Sequence, residues 1–338
     1  MNLDRDQLLA KWREVEYTAP GGQEWRAISL NISAPVTLLL AVREPDGRIA
    51  LLVEAPISPV AAPLFRMQAE GISVSDQRDT NERSGLRRLA VVLEKTELRE
   101  VFLTLVQDLV HVARSEKTAL AACASIAGRL SAWQACLRAR RHGLSEAEQI
   151  GLMGELEVIR LAAPAIGYGH AIAAWQGPLD GLHDFVGSGA AIEVKSALGP
   201  SSLIRISDAA QLDTAGLACL VIARPRFRSD PDGLDLVERV GTVRDEIRMK
   251  APGELAGFDD KLLRAGFIAS EHRSGPKATL ESIRIYEVRD GFPHIDPSSL
   301  PAAVTGVSYA IEERVLGDFA AEGPALEAVI RHLGMGAT

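Results

Sequence analysis

Two short apolar stretches of this chain carry acid side chains. Leu182-His183-Asp184-Phe185-Val186 runs into the turn Gly187-Ser188-Gly189, and Ala191-Ile192-Glu193-Val194-Lys195-Ser196 follows. Both read as strands. Residues two apart in a strand share a face, so Glu193 and Lys195 point one way and Ile192 and Val194 the other. The turn folds the first strand back beside the second and brings Asp184, just inside the first strand, toward Glu193. Two carboxylates and one ammonium at a sheet edge can hold Mg²⁺ and orient a water against a phosphodiester. Alternation turns Ser196 away from Lys195, a structural position. It also puts His183 on the face opposite Asp184, as a packing or supporting histidine rather than a ligand.

The elements that must position these residues are readable on either side. Ser145-Glu146-Ala147-Glu148 is a capping box. It opens a helix to about Ala163 that carries Glu155, with Glu157 as its rival. A strand around Ala171 to Trp175 precedes the two acidic strands. Ser207 caps a short helix through Gln211 and Leu212, and Leu217 to Ala223 is a continuous apolar run, as a strand buried on both faces would be. The order is helix, strand, strand, strand, helix, strand. Beyond it come helices near Leu234 to Met249 and Glu254 to Ala265, strands near Gly266 to Ala269 and Ile283 to Val288, and a last helix, Pro324 to Leu333, with proline in its first turn.

The preceding part is of another kind. After a helical start at Leu8 to Val15, residues 1 to about 95 read as mostly β. Val36 to Val42 and Ile49 to Val53 form a hairpin about Glu44-Pro45-Asp46-Gly47. Gly71 to Ser75 and Leu89 to Leu93 are further strands. From Glu97 to about Arg141 the period is helical, with Leu98, Phe102, Leu105, Leu109 and Val112 three and four apart. A second helix covers Ala119 to Leu137, with Trp133 in the core. The basic run Arg138 to His142 suits a helix C-terminus, and Gly143 stops it. The expected organisation is a β-rich N-terminal domain over 1–95, a helical connector over 96–143 and a catalytic domain over 144–338.

Composition narrows the function classes. The chain has 338 residues, 47% hydrophobic and 24% charged, which fits a globular protein of two domains. Its net charge of -8 argues against a surface coated for non-specific nucleic-acid binding, although a local basic groove remains open. Arg224, Arg226 and Arg228 after the buried strand, and Arg205 before it, could meet a phosphate backbone; a solvated loop is the competing reading. No apolar run reaches bilayer length, the N-terminus is polar, and the 3 cysteines form no C-x-x-C pair, so a structural zinc site is not expected and the chain reads as cytoplasmic. The other histidines show no metal-ligand spacing. Gly187-Ser188-Gly189 lacks the rest of a phosphate loop, and no G-x-S-x-G motif is present.

The order of elements and the acid, acid-x-lysine arrangement resemble the PD-(D/E)XK nuclease superfamily, whose core is αβββαβ. That resemblance covers roughly Ser145 to Ala223; the proline that names the motif is absent. The chain is similar in particular to a bacterial PD-(D/E)XK family found beside DNA methyltransferases and ATPases in restriction-like gene clusters. The shared pieces are Gly151-Leu152-Met153-Gly154-Glu155-Leu156, Trp175-Gln176-Gly177-Pro178, His183-Asp184-Phe185, Ile192-Glu193-Val194-Lys195-Ser196, Ser207 with Gln211-Leu212, and Gly291-Phe292-Pro293. The resemblance implies an α/β (α+β) protein with a restriction-endonuclease-like core and metal-dependent DNA cleavage within a restriction or defence system. It implies Asp184, Glu193 and the Val194 carbonyl as ligands of Mg²⁺ or Mn²⁺, and Lys195 as the residue that orients or helps deprotonate the attacking water. It implies Glu155 as a ligand of a second metal, and Gln211 as a polar partner on the helix after the lysine strand. The implied partners are DNA, a methyltransferase, an ATPase or helicase, and a second copy of the chain. Two other readings stay open: a non-catalytic module that binds DNA or a partner subunit on the same fold, and an RNA-directed nuclease.

Overall fold

Apolar strands followed by two helices give one unit, residues 1–141, and mixed helices and strands give a second, residues 142–338. The computed structural model describes residues 5–17, 24–44, 46–56, 67–69, 71–78, 86–139, 143–179, 181–269, 275–301, 303–321 and 324–334. Pro45 of the expected turn and residues 140–142 of the basic run lie outside the described residues.

In the first unit α1 (Arg5–Glu16) is followed by β1 (Trp25–Ser29), β2 (Thr37–Arg43), β3 (Arg48–Pro56), β4 (Met67–Ala69), β5 (Ile72–Arg78) and β6 (Leu86–Leu93). These strands form one antiparallel sheet in the order β1-β2-β3-β6-β5-β4. The β2–β3 hairpin pairs Thr37 with Glu54 through to Arg43 with Arg48. The two helices expected as a connector, α2 (Arg99–Ser115) and α3 (Ala119–Ala139), belong to this unit; α3 packs on β3 and β4. Trp12 and Phe102 join α1 to α2 through a ring contact of 5.9 Å, and Trp133 is buried.

The second unit begins at α4 (Glu146–Ala174). Its capping box is formed, with the Ser145 N–H donating to Glu148 Oε2 at 2.7 Å. The helix outruns its expected end. Pro164 is accommodated, Gly167 bends the chain at φ 80°, and the alanine-rich stretch beyond resumes helix. Residues 171–174 are therefore helical, not a strand, and only Trp175 makes a lone bridge, to Phe185.

Next come β7 (Phe185–Gly187), β8 (Ala190–Val194), β9 (Ala197–Leu198), β10 (Leu203–Ile206) and β11 (Cys219–Leu234), then α5 (Leu236–Lys250), α6 (Leu255–Arg264), β12 (Ala278–Glu287), β13 (Tyr309–Glu312) and α7 (Pro324–Gly334). The central sheet runs β12-β11-β8-β7 with β9 beside β11, while β10 leaves it to pair with β13. β8 and β11 are parallel and the other central pairs are antiparallel, apart from the parallel β9–β11 contact. Phe267 and Ile268 are buried without forming the strand expected there, because apolar packing of two residues after α6 needs no ladder.

The two faces of this sheet bury separate cores. Ile192, Val194, Val221 and Ala223 pack with residues of α4, α5, α6 and α7. Ala191, Leu220 and Ile222 pack with Ile204, Ile206, Leu212 and Ile311 of the β10–β13 side. At Gly154 a side chain would overlap Ser196 Oγ, so glycine lets α4 lie against the chain just after Lys195. Ser196 is thus a packing residue. On the far edge α7 lies across the β7–β8 turn: Ser188 N–H donates to His332 O at 3.1 Å, and a side chain at Gly187 would run into the Leu333 backbone.

Candidate active site

Strand alternation carries Glu193 and Lys195 onto the β10–β13 side of β8, opposite Ile192 and Val194. Lys195 Nζ lies 2.7 Å from Glu193 Oε1 and donates to Gln211 Oε1 at 3.0 Å. Gln211 is in a 3₁₀ turn, Ala209–Leu212, capped by Asp208 rather than Ser207. Ser207 instead uses its N–H (3.2 Å) and hydroxyl (3.0 Å) to donate to Gln211 Oε1, so one amide oxygen collects three donors and is fixed for the lysine.

Asp184 lies in a bend one residue before β7, not inside the strand. Its position comes from hydrogen bonds. Gln176 and Gly177 donate their N–H groups to Asp184 O at 2.7 and 3.0 Å, and Asp184 Oδ2 accepts from Val194 N–H at 2.7 Å. Because this segment is not regular strand, alternation does not govern His183. The ring turns to the Gln211 side, where Nε2 is 3.0 Å from Gln211 O. Burial pushes its pKa down, which keeps the imidazole neutral and suits a single N–H donated to that carbonyl.

Glu155 arrives from α4. Its Oε2 accepts from the buried Trp175 indole at 2.6 Å. Glu157, the rival, faces the other way and is held by Arg239 and by Arg160, the latter at 3.0 Å. Trp175 stands in the sequence at the end of an expected strand and within a piece shared with the family, with no role at this site assigned to it. A tryptophan between a helix end and Gly177-Pro178 was the available signal, since a buried indole N–H needs an acceptor.

Three carboxylates therefore gather together, and Lys195 offsets two of them, Glu193 and Asp184. Desolvation and the neighbouring Asp184 carboxylate push Glu155 up to about 8, against the pull of the Trp175 hydrogen bond. Desolvation, then Asp184, push Glu193 up to about 7, with Lys195 opposing. Asp184 is raised by desolvation, moderated by Val194 N–H and Lys195. Carboxylates that resist ionisation together mark a place where added positive charge is favourable.

Two observations fit a cation. Glu193 Oε2 is buried and has no hydrogen-bond partner. Gly177 leaves open a point 2.9 Å from both Asp184 Oδ1 and Glu155 Oε2, which a Cβ would fill. All-oxygen donors suit Mg²⁺ or Mn²⁺. Among the described residues no group of three His, Cys, Asp or Glu side chains is placed to hold a metal ion; Lys195 is drawn onto Glu193 instead.

The arginines read as a solvated loop or as phosphate contacts divide. Arg224 is 2% exposed and Arg226 is mostly buried, and both bind Glu313, at 3.2 and 2.6 Å. β11 continues through Pro225 to Leu234, so these residues lie in a paired strand, not a solvated loop. Arg228 is exposed and pairs with Asp230 and Glu281; Arg205 is exposed on β10. Glu313, 89 residues from Arg224, carried no local signal.

Among the described residues no helix is long and apolar enough to cross a membrane. Residues 8–312 match the model of a family described as "Putative PD-(D/E)XK family member, (DUF4420)". The mixed helices and sheets are consistent with its restriction-endonuclease-like fold. Searches of curated proteins and of solved structures returned no match.

Proposed function

We propose that this chain, which belongs to the PD-(D/E)XK family whose model it matches, is a metal-dependent DNA endonuclease. The observation that carries the proposal is the convergence of Glu155, Asp184 and Glu193, with Lys195 paired to Glu193 and Glu193 Oε2 buried and unpartnered. Asp184, Glu193 and the Val194 carbonyl would hold Mg²⁺ or Mn²⁺, and Glu155 would serve a second ion directly or through water. Bound metal supplies positive charge to the scissile phosphate and a lowered pKa to a coordinated water.

The chain's own residues do the rest. Lys195 Nζ, steadied by Gln211 Oε1, orients the attacking water or, as the neutral amine, takes its proton, and in its charged form offsets negative charge on the pentavalent phosphorus. Trp175 aims Glu155, and the Gln176 and Gly177 N–H groups fix the Asp184 backbone. Exposed Arg205 and Arg228 would contact flanking phosphates. The acidic chain then relies on the metal more than on a basic surface for affinity. The resemblance noted in the sequence implies a defence role in the cytoplasm, with a methyltransferase, an ATPase or helicase and a second copy of the chain as partners.

The test uses the purified full chain on supercoiled DNA and on RNA, with Mg²⁺, Mn²⁺ or chelator. We expect metal-dependent DNA cleavage. Lys195→Ala should lower it by about 10²–10³-fold while DNA binding persists. One observation favours a second reading, a module that binds without cutting: Arg224 and Arg226 are spent on Glu313 rather than offered to phosphate. Binding with no metal-dependent cleavage, alone or with the gene neighbours, would select that reading.

A further inference from the structure

Lys195 sits where a β-ladder is interrupted. β8 runs parallel to β11 with Val194 opposite Ala223, and pairing resumes in the same register with Ala197 opposite Arg226. Lys195 is therefore opposite Arg224, and Ser196 opposite Pro225. The Lys195 N–H donates to Ala223 O at 2.8 Å, which is half of the parallel pattern. The other half needs the Lys195 carbonyl to accept from residue 225, and a proline has no N–H.

The missing donor comes from the neighbouring side chain. Arg224 Nη1 donates to Lys195 O at 2.6 Å and to Ser196 O at 3.1 Å. Its Nη2 donates to Ser201 O at 3.3 Å and Leu203 O at 3.0 Å, and its Nε to Glu313 Oε2 at 3.2 Å. Every N–H of the guanidinium is engaged.

We infer that Arg224 is a positioning residue for Lys195: it replaces the ladder hydrogen bond that Pro225 deletes and fixes the peptide from which the lysine reaches Glu193 and Gln211. The catalytic meaning of this clamp rests on the nuclease reading of Lys195; the clamp itself does not. Pro225 also lies in the crowded contact beneath α4, 3.1 Å from where a Gly154 Cβ would stand. The helix thus closes over the gap while the arginine fills it from the other face. Glu313 keeps Arg226 at 2.6 Å and the Tyr286 hydroxyl at 2.9 Å without Arg224, so changing residue 224 does not strand a buried carboxylate.

The experiment uses the full chain with lysines ¹³C-labelled at Cε and the Lys195 resonance assigned by its loss in Lys195→Met. In Arg224→Gln that resonance should move toward those of exposed lysines. Metal-activated DNA cleavage should lose about 100-fold in kcat with KM unchanged. Pro225→Ala restores a backbone N–H, so Arg224→Gln with Pro225→Ala should return the resonance and most of kcat, and should fold even where the single variant does not. Glu313→Gln, which leaves the carbonyl bonds of Arg224 in place, should not move the resonance. An unmoved resonance in Arg224→Gln, an equal shift in Glu313→Gln, or no recovery on restoring the N–H at 225 each overturns the inference. If the wild-type chain cuts no DNA, the nuclease reading falls while the resonances still decide the clamp.

Discussion

Glu155 and Glu157 stand two residues apart on α4, and their surroundings could hardly differ more. Glu157 belongs to a balanced group of two carboxylates and two guanidiniums. Arg239 and Arg160 hold it, Arg160 reaches on to Glu246 at 3.0 Å, Tyr168 donates to Glu246 at 2.5 Å, and Arg239 also donates to Ala278 O at 2.9 Å and stacks 5.1 Å from the Phe227 ring centroid. Glu155 belongs to an unbalanced group, three carboxylates against Lys195. Buried charge that serves the fold is compensated within the chain. Buried charge left in deficit is poised for something from outside, and the same helix carries both kinds.

The comparison can be broken or sharpened by experiment. The largest effect should come from Arg239→Met, which leaves Glu157 short of its buried partner and should remove about 3–5 kcal/mol of unfolding free energy. Urea denaturation reads this, and a loss under 1 kcal/mol would deny the group a structural role. Asp184→Asn should act in the opposite sense. The amide oxygen still accepts from Val194 N–H while one repelling charge disappears, so the midpoint of thermal unfolding should hold or rise as cleavage drops about 10²–10³-fold. A variant that loses stability instead would place Asp184 with Glu157.

Metal should divide the two groups next. At a hundredfold excess over its dissociation constant, Mg²⁺ should add about 2.7 kcal/mol to wild-type stability. The increment should survive in Arg239→Met and vanish in Asp184→Asn, as thermal melts would report. The smallest effect is on pH. Glu155 and Glu193 have an ordinary value of 4.5 and are raised to about 8 and about 7 in the fold. The folded state therefore binds protons that the unfolded state has released, and metal-free stability should fall as pH rises from about 5 to about 8. That direction is opposite to an ion-paired carboxylate. Glu155→Gln should flatten the upper part of the curve, and a rising curve from these two groups would sink the deficit argument.

Much of the scaffold was legible because it depends on local pattern. The β2–β3 hairpin follows from two apolar runs about a turn, and the α4 start from Ser145 and Glu148. The Glu193–Lys195 pairing follows from the period of a strand. What escaped was set by distance in sequence. Nothing local separates Glu155 from Glu157, because α4 is buried nearly all round and its apolar stripe picks no outward face. Arg224 and Arg226 read as candidates for phosphate because their true partner, Glu313, lies on β13. The apolar run stops at Ala223, yet the strand continues through Pro225 to Leu234, and the side chain of Arg224 supplies the donor that the proline lacks. Asp184 owes its placement to backbone hydrogen bonds from the Gln176-Gly177 turn, which no periodicity encodes.

The last helix has a practical meaning for anyone handling this protein. α7 begins beyond the family-matched region and packs Val329, Ile330 and Leu333 into the core that holds Phe185 and Ile192, while its His332 carbonyl accepts from Ser188 N–H in the β7–β8 turn. Deleting it would uncover an apolar face of the sheet beside Asp184 and invite copies to stick together in solution.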